Sequence, residues 1–251
     1  MRSTELPAEA HFAEFQRVEE VIDEELFHAS GLDRRGVSML VHSGSRGLGQ
    51  AILQNYVRKF GAAGLELGTE SFTDYIQKHD QAMAWAVVNR EIIARRFMSA
   101  LGTDGVRLLD ICHNSVTPAQ DNESVWLHRK GAAPSDKGLV VIPGSRGTLS
   151  YVVRPRMKSA ETSLWSLAHG AGRKWKRSDA KGRLSKRYSV SDLTRTSLGG
   201  RVICEDKALI FEEAPEAYKD VAVVISDLEA ANLIDVVATL RPIITYKTRR
   251  K

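Results

Sequence analysis

The residues best suited to chemistry are Ser166-Leu167-Ala168-His169-Gly170-Ala171-Gly172-Arg173, followed by Lys174-Trp175-Lys176-Arg177. One imidazole stands beside two glycines and is trailed by four cations. Glycine lets a backbone approach a ligand closely because no Cβ intervenes. A neutral imidazole can act as a nucleophile or bind a metal, and Arg and Lys suit phosphate oxygens. A helix with a solvated basic face and one incidental histidine would account for the same string.

Other histidines keep similar company. His42 stands in Val41-His42-Ser43-Gly44-Ser45-Arg46-Gly47, His113 in Asp110-Ile111-Cys112-His113-Asn114, and His11 in Ala10-His11-Phe12-Ala13-Glu14. Beside them lie Pro143-Gly144-Ser145-Arg146-Gly147-Thr148-Leu149-Ser150-Tyr151 and His128-Arg129-Lys130-Gly131-Ala132. Taken in order, from about Ala10 to Lys247, these segments resemble the RtcB family of RNA ligases. Members of that family join a 3′-phosphate or 2′,3′-cyclic phosphate RNA end to a 5′-hydroxyl end. The resemblance covers the later part of a family member, and the earlier part, with its Asp and Cys metal ligands, has no counterpart in this sequence.

The resemblance implies a set of roles. His169 matches the histidine that becomes guanylylated by GTP, and His11, His42 and His113 match ligands of a centre holding two Mn²⁺ ions. Guanylate contacts carry over to Glu14, Asn114, Pro143, Gly144, Ser145, Arg146, Ser150, Gly170, Ala171, Gly172 and Lys247. Glu14 would accept from guanine N1–H and N2–H₂, and the near-terminal Lys247 would close over the nucleotide. Arg46, Arg129, Lys130 and Arg173 are candidate clamps for RNA phosphates. Arg146 and the Lys174-Trp175-Lys176-Arg177 run resemble a variant branch associated with RNA repair, which implies a peptide-chain release factor homologue as a partner. Ala10 takes the place of a family Asn that contacts the guanylate.

The residues alone leave the function more open. Three imidazoles delivered from strand ends can converge on Mn, Zn, Fe or Co, but wide sequence spacing leaves that convergence undetermined. A ligase centred on His169 is one reading. A non-catalytic remnant that binds RNA or nucleotide is another, since three neutral histidines give a metal no anionic ligand. A metal-dependent phosphoesterase is a third, with Asp110 and Glu14 as its carboxylates.

The elements that must position these residues follow from periodicity. His11 to Phe15 reads as a short strand, and Arg17 to Ser30 as an amphipathic helix with Val18, Val21, Ile22, Leu26 and Phe27 at helical spacing. Gly36 to Val41 is a strand delivering His42 to a Gly/Ser loop, which enters a helix at about Gly49 running to Phe60. That loop is either a tight turn or a phosphate cradle, and no Gly-Lys-Ser/Thr closes it as a Walker loop. Residues 72–99 form the longest helical pattern, with His79 structural near its start. Strands are expected at Val106 to Cys112, Ser124 to Leu127, Gly138 to Ile142, Thr148 to Val153 and Arg201 to Cys204. A last strand runs from Ile234 towards Tyr246. Turns are expected at Gly131 to Lys137, Pro143 to Gly147 and Pro215 to Tyr218. Helices are expected at Leu164 to about Lys181, although Gly170 and Gly172 weaken it, and at Val221 to Leu233. His28 should serve the C-terminal end of its helix.

The expected architecture is mixed α/β (α+β): one RtcB-like domain of mixed sheets and surrounding helices over residues 10–247, truncated at its N-terminal side. An irregular segment at 1–9 and a basic tail at 248–251 flank it. The 251 residues carry 36 Lys+Arg against 31 Asp+Glu, a net charge of +5, and the excess is concentrated in 173–187 and the tail. Clustered cations attract polyanions such as RNA, although such runs are often solvated faces. Two cysteines, Cys112 and Cys204, build no disulfide framework and suit a reducing cytoplasm. No apolar run approaches the roughly 20 residues that cross a bilayer.

Overall fold

A computed structural model of the chain describes residues 11–119 and 122–248. The expected irregular start at 1–9, Ala10 and most of the basic tail lie outside the described residues. The elements in order are β1 (Phe12–Val21), α1 (Glu24–Ser30), β2 (Val37–His42), α2 (Gly47–Phe60), α3 (Glu70–Leu101), β3 (Asn114–Ala119), β4 (Asn122–Lys130) and β5 (Ala132–Pro134). There follow β6 (Val140–Ile142), β7 (Ser150–Pro155), β8 (Ser166–Ala168), α4 (Arg177–Leu184), β9 (Arg201–Cys204), α5 (Lys207–Glu212), α6 (Val221–Ala230) and β10 (Ile234–Thr248). The mixed α/β class is the one expected.

The chain forms two compact units. One takes His11, Val41–Gly105 and Asn114–Lys130, and the other Phe12–Leu40, Val106–His113 and Gly131 onwards.

In the first unit α2 and α3 pack through aromatic rings. Tyr56 lies edge-on to Tyr75 at 4.9 Å, and Phe72 meets Trp126 of β4 at 4.9 Å. His79 is structural as expected, its Nε2 accepting from Val116 N–H at 3.1 Å. The loop after His42 is held by α3, since Asn89 Nδ2 donates to Ser43 Oγ (2.9 Å) and Arg90 Nη1 to Ser43 O (2.8 Å).

The second unit is organised by β10, whose 15 residues run through the six-stranded sheet ordered β2-β1-β10-β7-β6, with β9 also on β10. Residues 234–240 of β10 pair antiparallel with β7, and residues 244–248 pair parallel with β9. Pro242 stands at the change of partner, where a residue without an N–H leaves no ladder donor unmet. Val140, Ile142, Val153, Leu167 and Ile225 fill one cluster of the core, and Ala180, Leu184, Leu193 and Ile210 fill another.

Four expectations are corrected here. Residues 17–21 belong to β1, and helix α1 begins only at Glu24. A bulge in the β1–β10 register between Val18 and Glu20 lets residues three apart share a face, so Val18 and Val21 both pack against the buried cluster that contains Phe27 and Val237. That spacing mimics a helix. Val106 to Cys112 forms no strand: Val106 is 84% exposed and the segment joins no ladder. The helix expected from Leu164 is instead β8, paired with β5, then a loop, with α4 starting at Arg177. Leu164 and Trp165 both take positive φ, and Gly172 sits at +70°, so the backbone cannot continue helically there. Finally, the turn expected at Gly131 to Lys137 contains strand β5.

Candidate functional site

His169 follows β8 directly. Ala132 of β5 pairs with Ala168 of β8, and Ala132 N–H also donates to His113 O at 3.0 Å. This short ladder brings the His113 and His169 rings to 4.5 Å between centroids. Gly131, at φ +65°, lies against the imidazole: a Cβ there would come within 2.9 Å of His169 Cε1. The histidine is half-buried, and burial holds its pKa below the ordinary value, partly opposed by a hydrogen bond to the Gly131 backbone. At neutral pH the ring is therefore the neutral base that a nitrogen nucleophile requires.

The loop after His169 rests on the Pro143 turn. Ala171 N–H donates to Pro143 O at 3.3 Å, and a Cβ on Gly170 would stand 3.2 Å from the same oxygen. Thr148 Oγ1 accepts from Ser145 N–H at 2.7 Å, which closes the turn. Arg146 reaches inward from it. Its Nη2 donates to Ile210 O at 2.8 Å, while Nη1 is buried with no hydrogen-bond partner among the described residues. Burial lowers the Arg146 pKa, and Cys204, Glu213 and Glu216 oppose that shift.

A second cluster lies across β1, β10 and β7 of the same unit. Glu14 is 3% exposed. Its carboxylate accepts from Gln16 Nε2 at 2.7 Å and from the hydroxyl of Thr245, which faces it in register. Gln16 also donates to Ser150 Oγ at 2.9 Å. Burial raises the Glu14 pKa, with Thr245, Gln16 and Lys247 pulling against it.

Lys247 stands two residues after Thr245, so strand alternation puts both on one face. Its ammonium lies 4.9 Å over the Phe12 ring and 3.5 Å from Glu213 Oε2. Burial lowers its pKa, Glu213 and Glu14 raise it, and Arg146 adds to the lowering. Glu213, fully buried, is the hub: it accepts from Arg173 Nη1 at 3.0 Å, from Arg177 Nε at 3.3 Å and from the Tyr218 hydroxyl. Arg173 also donates to Glu212 O and lies 5.0 Å from the Tyr218 ring. The loop carrying His169 is thereby tied through Arg173 and Glu213 to Lys247 and Glu14.

Asn114 is exposed at the start of β3, Arg46 is exposed at φ 59°, and Lys130 is exposed at the end of β4. Arg129 is buried on Thr117 Oγ1 at 2.9 Å. His11, His42 and Asn114 belong to the first unit, and His113 to the second. Among the described residues no group of three or more His, Cys, Asp and Glu stands together as a metal site.

Sequence reasoning missed Gln16, Thr245, Glu213 and Tyr218. Period-2 alternation from Glu14 and Lys247 could have found the first two. Glu213 carried only a faint signal, one of two adjacent carboxylates, Glu212 and Glu213, between apolar Leu209–Phe211 and Ala214.

The fold and this cluster define a mixed α/β protein that holds a neutral imidazole and a buried network of acids and bases in one unit. The chain belongs to the RtcB family, since the family described as tRNA-splicing ligase RtcB matches residues 7–248. It is 51% identical over 238 residues to RNA-splicing ligase RtcB2 of Escherichia coli, which covers 94% of this chain and 62% of that protein. It is 31% identical over 281 residues to tRNA-splicing ligase RtcB of Nanoarchaeum equitans, covering 94% of the chain and 58% of the relative. With RNA-splicing ligase RtcB homolog 1 of Entamoeba dispar the identity is 32%, across 94% of the chain and 51% of the relative. The chain thus spans between half and two thirds of the length of these curated relatives.

Proposed function

We propose that this chain carries the guanylate-transfer part of an RNA ligase that joins 3′-phosphate or 2′,3′-cyclic phosphate ends to 5′-hydroxyl ends at the expense of GTP. The observation that carries the reading is His169: neutral, half-buried, its ring set against Gly131, and tied through its loop to the Glu14–Lys247–Glu213 cluster. An imidazole nitrogen attacks the α-phosphorus of GTP, an N–P bond forms, the α–β P–O bond breaks, and pyrophosphate leaves. The RNA 3′-phosphate then takes the GMP from the nitrogen. The 5′-hydroxyl attacks the activated phosphorus, and GMP departs. Dividing one hard displacement into easier ones is the rationale for the covalent stage. A cyclic phosphate end must be opened before it enters this sequence.

In this reading Glu14 accepts from guanine N1–H and N2–H₂, while Lys247 offsets its charge and offers donors to the other edge of the base. Ser150 and the turn from Pro143 to Arg146 supply the remaining polar contacts. The Mn²⁺ ions implied by the family would fall to His11, His42 and His113. No step above is routed through a metal. We assign the protein to the reducing cytoplasm.

Incubation with α-labelled GTP and a divalent metal tests the reading. Label on the parent protein and none on His169→Ala is the expected result, and label kept by the mutant at the parent level refutes it. Absence of label from both would favour the alternative of binding without catalysis.

A further inference from the structure

The run of cations after His169 is not one feature. Arg173 and Arg177 turn inward and share the buried carboxylate of Glu213 with Lys247. Lys174, Lys176, Lys181, Arg183, Lys186 and Arg187 are all exposed. Between residues 174 and 187 the only acid is Asp179.

Local folding explains the division. Ala180 and Leu184 of α4 are fully buried in the cluster with Leu193, Ile210, Ala214 and Ala217, so the helix is fastened by its apolar side. Arg187 and Tyr188 N–H both donate to Leu184 O, which keeps Lys186 and Arg187 in a bonded turn at the helix end. The leading loop is equally fixed: Lys174 N–H donates to Ala217 O at 2.8 Å, and Lys219 N–H to Gly172 O at 3.0 Å. Trp175 packs on the same cluster, with the Lys174 ammonium 5.6 Å and the Arg183 guanidinium 5.0 Å from its ring.

Elsewhere in this unit Arg34 pairs with Glu24, Arg156 with Asp235 and Arg241 with Glu19. None of the six cations around α4 has an ion pair among the described residues. Like charges held close without counter-charge repel, which costs stability unless a polyanion covers them. This concentration begins five residues after His169, on a framework rigidly joined to the His169 loop.

We propose that α4 and its flanking turns form a docking surface for the RNA phosphate backbone, holding the strand whose 3′ end enters beside His169. The proposal rests on the RNA ligase reading above and adds where the RNA body lies. Trp175 and the guanidinium of Arg183 give this surface a flat, cationic centre on which an unpaired base can stack.

Binding of a single-stranded RNA oligonucleotide with a 3′-phosphate and a 5′-hydroxyl, followed by fluorescence anisotropy across a salt series, tests it. For single strands the slope of log K against log salt is about −0.7 per neutralised phosphate, so K181Q/R183Q/K186Q/R187Q should flatten the parent slope by about 2 to 3. Affinity at low salt should fall more than tenfold, while GMP binding stays at the parent level. The charge-retaining K181R/K186R should behave as the parent. A quadruple variant with the parent slope and affinity overturns the surface and leaves the ligase reading standing. A parent chain that binds no RNA overturns both. Displacement by polyglutamate at lower concentration than by RNA, with the RNA slope unchanged in the variant, assigns the surface to an acidic protein and overturns the proposal.

Discussion

Replacing Glu213 by Gln removes one negative charge from the centre of the site with almost no change in volume. The carboxylate is fully buried and serves Lys247, Arg173, Arg177 and Tyr218. Removing one partner of a buried ion pair costs about 3–5 kcal/mol, because the other charge is left uncompensated. Arg173 and Arg177 keep 25% and 27% of their side chains exposed and recover some hydration, whereas Lys247 keeps 7%. The expected loss therefore sits at the low end, about 3 kcal/mol. For a protein of this size that lowers Tm by roughly 6–12 °C. In K247M/E213Q the stranded cation is gone, and part of the loss should return as a coupling of about 1–3 kcal/mol.

Acid titration gives an independent signature of the same group. Burial alone would raise the Glu213 pKa, but Lys247, the Tyr218 hydroxyl, Arg173 and Arg177 together take it below the ordinary 4.5. A carboxyl depressed in the folded state contributes stability above its unfolded pKa and loses it as pH falls through the folded value. The parent Tm should drop as pH falls below 4.5, and that of Glu213→Gln should drop less. An E213Q protein within about 0.5 kcal/mol of the parent, the range of ordinary surface changes, would refute the hub role. A strictly additive double mutant would refute it as well.

Other substitutions test other parts of the account. Gly131→Ala adds a Cβ against the His169 ring at a backbone φ of +65°. It should cost about 1–2 kcal/mol from the left-handed conformation alone and reduce labelling by GTP more than it reduces GMP binding. Glu14→Gln should raise Tm at pH 7 while abolishing the preference for guanine: the buried carboxyl's pKa is raised, so its ionised form opposes folding once pH exceeds the ordinary value. Ligation by the 251-residue chain alone should be weak or absent, because three neutral imidazoles offer no charge to hold two dications close together. Robust joining of a 3′-phosphate end to a 5′-hydroxyl end by the purified chain would contradict that count.

The Pro143 turn was legible because its proline and glycines report backbone geometry directly, and the long helix α3 follows from its periodicity. What misled was spacing without context. The bulge in β1 gave Val18 and Val21 a helical interval, and the apolar run after Val106 had no partner strand. The weak helix signal at Leu164 gave way to pairing between β5 and β8. Glu213 was invisible for a different reason: its importance lies in Lys247, Arg173 and Arg177 converging on it from 34 to 40 positions away.

Equilibrium binding of GMP and AMP to the chain tests the central claim most directly, since it asks for the nucleotide site without requiring catalysis. The account predicts that GMP binds at least tenfold more tightly than AMP, and that Glu14→Gln brings the two together while Lys247→Met weakens GMP. Equal affinity for GMP and AMP in the parent, or a GMP preference untouched by Glu14→Gln, would contradict it.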